Sequence, residues 1–138
     1  MILNTMGIIQ ERINVELQKA LKGLGLNIHC GHIWLLLTVY ENDGEIEIKE
    51  LVRILEKKKT TISDIITTLE KNGYLTKRQS LSDRRIYKVY VTSKAKEEKD
   101  IILKIVQDIQ DKMFKNISEN NMKVTDEVLV KISTNLQE

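Results

Sequence analysis

The sequence predicts a mainly α-helical fold with a small β-wing (α+β), and three patterns point to it. Apolar residues recur every three or four positions in most of the chain, which is the helical period. One short stretch instead alternates with period two around a polar turn, as a hairpin does. No proline interrupts any of the 138 residues, so long helices can run unbroken. The 41% hydrophobic and 30% charged fractions are those of a globular chain. With only one Phe and one Trp, Ile, Leu and Val must build most of the core.

In the first helix, residues 6–24, Ile9, Ile13, Leu17, Ala20, Leu21 and Leu24 form one stripe, and Gly23 and Gly25 end it. Residues 29–41 read as a second helix, apolar on nearly every side and therefore buried. Glu41-Asn42-Asp43-Gly44 stops it. Glu45–Ile48 alternates like a very short strand. A short helix follows with Ile48, Leu51, Val52 and Leu55 facing inward, and Lys57-Lys58-Lys59 makes a polar turn. The next helix spans Thr60 to Asn72, capped by Thr60 or Thr61, with Thr61-x-x-Asp64 fitting the logic of a capping box. Ile62, Ile65, Ile66 and Leu69 give it a core face, and Gly73 suits a left-handed end. The hairpin has arms at Leu75–Gln79 and Arg85–Thr92, with its tip at Ser80–Asp83. Thr92 or Ser93 caps a long helix bearing Ile101, Ile102, Ile105, Ile109 and Met113. After a loosening at Asn116–Asn121, a last helix carries Val124, Val128, Leu129, Ile132 and Leu136.

This order is a winged helix-turn-helix between long outer helices. One domain covers 1–138, with the winged helix at about 46–92 and outer segments at about 2–24 and 93–138. So small a centre cannot bury every outer stripe, so a partner chain is expected to cover them. Net charge is only +2, yet ten basic residues against four acidic ones leave +6 between Val52 and Lys88. That window holds what groove recognition needs. Lys59, Thr60, Thr61, Ser63, Asp64, Thr67 and Thr68 put hydroxyls, a carboxylate and a cation on one helix. Lys77, Arg78, Asp83, Arg84, Arg85 and Lys88 make a basic hairpin, where Asp83 can brace one of the two tip arginines and leave the other free. Taken singly, such Ser and Thr residues are usually caps, and lysine runs are usually solvated loops.

Ser82-Asp83-Arg84-Arg85 resembles the wing signature of the MarR (multiple antibiotic resistance regulator) family. Thr61-Ile62-Ser63 with Leu69–Leu75 resembles that family's recognition helix and its exit, and Val91–Lys96 is similar to the segment opening its long helix. The motifs cover about residues 46–98. The resemblance implies a DNA-binding transcription repressor, a homodimer on a pseudo-palindromic site in double-stranded DNA, released by a small-molecule effector. It implies dimerisation through the first and last two helices, at Ile9, Ile13, Leu17, Ile105, Ile109, Val128 and Ile132. Its ligand cleft would be lined by the first two helices and the start of the long helix, near Trp34. The chain departs from the family at Asp64 and Thr68, where basic residues are common.

His29-Cys30-Gly31-His32 is the one cluster with coordination chemistry, and the structural reading of it is preferred: no carboxylate partner is set by spacing, and no metal or other cofactor is expected. Cys30 is the only cysteine, so no disulfide closes within the chain, and a cytoplasmic location is expected. No run approaches the ~18 apolar residues of a membrane helix, so no membrane partner is expected. No Gly-rich phosphate loop, HExxH pattern or nucleophile elbow is present, which argues against an enzyme. The alternative to a regulator is a winged-helix protein–protein interaction module or anti-repressor without specific DNA binding.

Overall fold

Helical periodicity in the sequence becomes helix in the computed structural model, which describes residues 1–137. Glu138, the end of the expected 93–138 segment, lies outside the described residues. The chain divides into two compact units, Met1–Val106 and Gln107–Glu138.

The first unit opens with α1 (Ile2–Gly23), which buries Leu17 and Leu21 and leaves Ile2, Leu3, Ile8 and Ile9 exposed. Two backbone bonds close it, Leu26 N–H to the Leu21 carbonyl (2.9 Å) and Gly25 N–H to the Lys22 carbonyl (3.0 Å). The expected helix 29–41 is shorter than its pattern. Cys30–His32 forms one 3-10 turn, and α2 runs Ile33–Glu41. The reason is local: the His29 ring accepts from Gly31 N–H (3.0 Å) and Gln18 accepts from Cys30 N–H (3.0 Å), so these amides are held outside the α ladder. α2 buries Ile33, Leu35, Leu36, Val39 and Tyr40.

β1 (Glu45–Glu47) leads into α3 (Ile48–Leu55), and α4 follows at Lys59–Lys71. Seven of the thirteen α4 residues are β-branched, and each disfavours a helix by up to about 0.7 kcal/mol. Burial decides the outcome. Ile62, Ile65, Ile66 and Leu69 all leave solvent, each at roughly 1.5–3 kcal/mol, which outweighs the propensity deficit. Tyr74 N–H to the Leu69 carbonyl (2.8 Å) and Gly73 N–H to the Glu70 carbonyl (3.1 Å) end α4, with Gly73 at φ +86° as expected.

The hairpin pairs β2 (Leu75–Gln79) with β3 (Tyr87–Val91), Gln79 opposite Tyr87 and Leu75 opposite Val91. Its second arm is shorter than the expected Arg85–Thr92, because Ile86 N–H turns back to the Asp83 carbonyl (3.0 Å) and holds Arg85 in the loop. β1 pairs with the other edge of β3, giving the antiparallel order β1-β3-β2. Leu75, Val89 and Ile46 face the core and are buried. α5 (Ser93–Met113) starts with Thr92 Oγ accepting from Ala95 N–H (3.2 Å), the expected cap. It buries Ala95, Ile102 and Ile105, while Ile101 and Met113 are exposed.

The second unit contains the end of α5 and α6 (Glu119–Asn135). Ser118 caps α6 by accepting from Asn121 N–H (3.1 Å). No described residue of α6 is buried, and Val124, Val128, Leu129 and Val130 stand exposed.

Candidate nucleic-acid interface

The helix-turn-helix is α3, the turn Glu56–Lys58 and α4. At about 100° per residue, Thr60, Asp64, Thr67 and Lys71 lie opposite the buried Ile62, Ile66 and Leu69, and all four are exposed. Lys59 and Thr61 are exposed, while Ser63 and Thr68 are half-buried on the flanks. The expected capping box does not form. The helix begins one residue early, its N-cap is Lys58, and no side chain caps it. Thr60 and Thr61 therefore lie within the first turn, and Asp64 is not a cap residue. None of these three side chains has a hydrogen bond or ion pair among the described residues. Thr67 and Thr68 instead return their hydroxyls to the Ser63 (2.9 Å) and Asp64 (3.2 Å) carbonyls one turn back.

The wing is braced at its tip. Both Asp83 carboxylate oxygens hold the Arg85 guanidinium, Oδ1 with Nε and Oδ2 with Nη2 at 3.1 Å each, and Oδ1 also accepts from Arg85 N–H (3.0 Å). The Arg85 side-chain bonds first, then its backbone N–H, hold the Asp83 carboxyl below its usual range. Gln79 donates to the Arg84 carbonyl (2.7 Å), and Ser80 N–H to the Ile86 carbonyl (2.7 Å). The Arg84 side chain has no partner among the described residues. Of the two arginines, then, Arg85 is the clamped one and Arg84 the free one.

Cross-strand register sorts the other wing cations. Lys77 lies over the Tyr87 ring (4.9 Å) and Arg78 over the Tyr90 ring (5.1 Å), stacks that keep both charges near the hairpin surface. Lys88 is engaged differently from expectation. It pairs with Glu45 at 3.1 Å, because β1 occupies the edge of β3 and sets that carboxylate beside it. Glu45 raises the Lys88 pKa through the hydrogen bond. Glu70 joins helix and wing by accepting from Lys77 N–H (3.2 Å).

Between α3, α4 and the hairpin lies a groove of about 470 Å³ that brings Lys49, Lys59, Ser63, Lys77 and Arg85 together. Lys49 was not legible as a site residue. It lies outside the basic window, 28 positions from Lys77, and only the packing of α3 places it there.

The expected dimerisation residues separate. Leu17 and Ile105 are buried in the first unit's own core, at 1% and 6% exposure, and are not free to meet a partner. Ile9 and Val128 are exposed, and Ile13, Ile109 and Ile132 are half-buried. The His29 and His32 rings lie 5.0 Å apart, and Cys30 is buried. His32 has its pKa lowered by burial first and His29 second, and its Nδ1 is buried without a hydrogen-bond partner. Among the described residues no group of three His, Cys, Asp or Glu could hold a metal ion. A second groove of about 400 Å³ is lined by Gln18, Lys22, Asn27, His29, Thr68 and Asn72. Trp34, expected near the ligand cleft, does not line it.

The sequence model of the MarR family matches residues 32–87, which contain α2 through the wing tip. No curated protein matches the chain. Among solved structures, a MarR protein from Peptoclostridium difficile is 28% identical, with 98% of this chain and 86% of that one covered and a TM-score of 0.84. A MarR family transcriptional regulator from Listeria monocytogenes, solved with a 26mer DNA, is 26% identical over 97% and 87%, with a TM-score of 0.84. A MarR transcriptional regulator from Methanosarcina mazei has the same fold, at 22% identity, coverages of 98% and 96%, and a TM-score of 0.81. With the family's motifs seated on α4 and the wing, its model matched from α2 to the wing, and the fold of its members matched along nearly the whole length, the chain is similar to the MarR family of winged helix-turn-helix transcription regulators.

Proposed function

We propose that this chain binds double-stranded DNA as a homodimer and represses transcription from a pseudo-palindromic operator, with release by a small-molecule effector. In this reading α4 enters the major groove and the wing reaches the adjacent minor groove. The observation that carries it is Arg84: a guanidinium without a partner among the described residues, on a braced tip, in the same unit as the exposed and unbonded hydroxyls of Thr60 and Thr61. The brace fixes the backbone that carries this charge, so the loop itself needs little ordering when Arg84 meets a phosphate or a narrow groove. Lys57, Lys58 and Lys59 at the start of α4 add phosphate-neutralising charge where the helix dipole also favours an anion. The Listeria relative solved with DNA supports the same partner here. A dimer would place its two recognition helices about one helical turn apart, ~34–36 Å. Release by an effector is supported by the groove that Thr68 and Asn72 line, since an occupant there touches the helix that meets DNA.

The test is binding of purified protein to DNA from upstream of its own gene, beside unrelated DNA, at two salt concentrations. Tight, selective binding that weakens steeply with salt is expected. Salt-insensitive capture of a protein partner, with no selectivity for any DNA, would favour an interaction module instead.

A further inference from the structure

We infer that Asp64 is a specificity-determining residue that reads the amino group of a cytosine in the major groove. The inference rests on the DNA-binding reading above and names the chemistry α4 recognises.

Asp64 is exposed at the centre of the α4 face that points away from the core. It is not a cap residue, since the helix starts at Lys59 behind an N-cap of Lys58. Nor is its charge balanced within the helix. The positions three and four residues away on either side are Thr60, Thr61, Thr67 and Thr68, so no cation lies within one turn. Its side chain has no hydrogen bond or ion pair among the described residues. An unpaired carboxylate therefore occupies the middle of the surface offered to a polyanion.

A carboxylate only accepts hydrogen bonds. Phosphates have no donor for it and repel it. In the major groove the donors are the N4 amino group of cytosine and the N6 amino group of adenine. Adenine N6 is flanked by N7 and by the O4 of its paired thymine, both acceptors that repel a carboxylate. Cytosine N4 has an acceptor on one side only, the guanine O6. Cytosine is thus the base Asp64 favours, and any other base there leaves a desolvated negative charge without a donor. The four surrounding threonines are short, so they leave the carboxylate room to approach a base edge, and their methyls suit contact with thymine.

The experiment is selection of binding sites from a random-sequence duplex pool by the full chain, for wild type, Asp64→Ala and Asp64→Asn in parallel. Circular dichroism confirms that the variants are folded; the site is exposed, and Ala favours the helix. Wild type should enrich cytosine at one position of each half-site. Asp64→Ala should flatten that position by about tenfold while raising affinity for unrelated DNA, and Asp64→Asn should move it to adenine, which Asn reads through N6 and N7. If Asp64→Ala gains affinity uniformly and keeps every base preference of wild type, the inference is overturned and the DNA-binding reading stands. If wild type enriches no sequence at low salt, the DNA-binding reading itself fails, and the assignment of Asp64 with it.

Discussion

At the tip of the wing, Asp83 spends both carboxylate oxygens on Arg85 and leaves Arg84 to solvent. Arg84→Ala should therefore weaken binding to specific and unrelated DNA alike and reduce the salt slope by about one phosphate contact, with an unchanged thermal melt. Binding as tight as wild type would remove Arg84 from the interface. A second residue gives a pH signature. Burial, then the neighbouring His29, lowers the His32 pKa below its ordinary 6.5. The unfolded chain thus takes up a proton at a higher pH than the folded one. The stabilising contribution is complete above 6.5 and is lost as pH falls below it. Melting temperature should be lower at about pH 5.5 than at about pH 7.5, and His32→Gln should shrink that difference. An equal difference in the variant would assign the dependence to other groups. Asp83 was legible as a brace because an Asp beside two arginines has charge partners by sequence adjacency. Which arginine it takes depended on the direction the turn gives each side chain.

At the scale of elements, two glycines hold the hairpin's connections. Gly44 sits at φ +82°, and a Cβ there would meet Val91 Cγ2 at 2.9 Å. Gly73 sits at φ +86°, where a Cβ would meet the flexible Lys94 side chain no nearer than 3.5 Å, an ordinary contact. Gly73→Ala should thus destabilise the fold by about 1 kcal/mol from backbone strain alone. Gly44→Ala adds a steric clash beside the β1-β3 pairing and should cost more, as denaturant unfolding of the two variants would show. Gly73 could be anticipated, because Asn-Gly after an apolar stripe is a helix-end signal. The start of α4 could not: two threonines and an aspartate offer a plausible cap, but the first turn forms earlier, where Lys58 has extended backbone (ψ 146°). Burial of Ile62 fixes the helix phase, and the cap follows from it.

For the whole molecule, the question is what covers the exposed apolar residues. α1 exposes Ile2, Leu3, Ile8 and Ile9, and α6 exposes Val124, Val128 and Leu129. With a second chain as their cover, Ile9→Asp and Val128→Asp should each shift the protein toward monomer in light scattering while helix content is retained. Unchanged mass would place the interface elsewhere. Ile105→Asp would not test this, because Ile105 is buried within its own unit and a charge there would unfold the core. The helical stripe showed that Leu17 and Ile105 are apolar and inward-facing. It could not show whether inward meant the chain's own core or a partner's, since period reports a face and not what packs on it.

The sequence alone determined the order of the helices and strands, the place of the hairpin turn and the concentration of charge between Val52 and Lys88. These follow from local rules: helical and strand periods, turn residues and charge adjacency. Only the tertiary structure decided which charges stay free. Lys88 lost its freedom to Glu45, a residue 43 positions away, and Arg85 to Asp83, while Arg84 and Asp64 kept theirs. Pairing depends on distances of a few ångströms between groups that the chain brings together only after β1 has docked on β3 and the turn has closed. No periodicity encodes those distances.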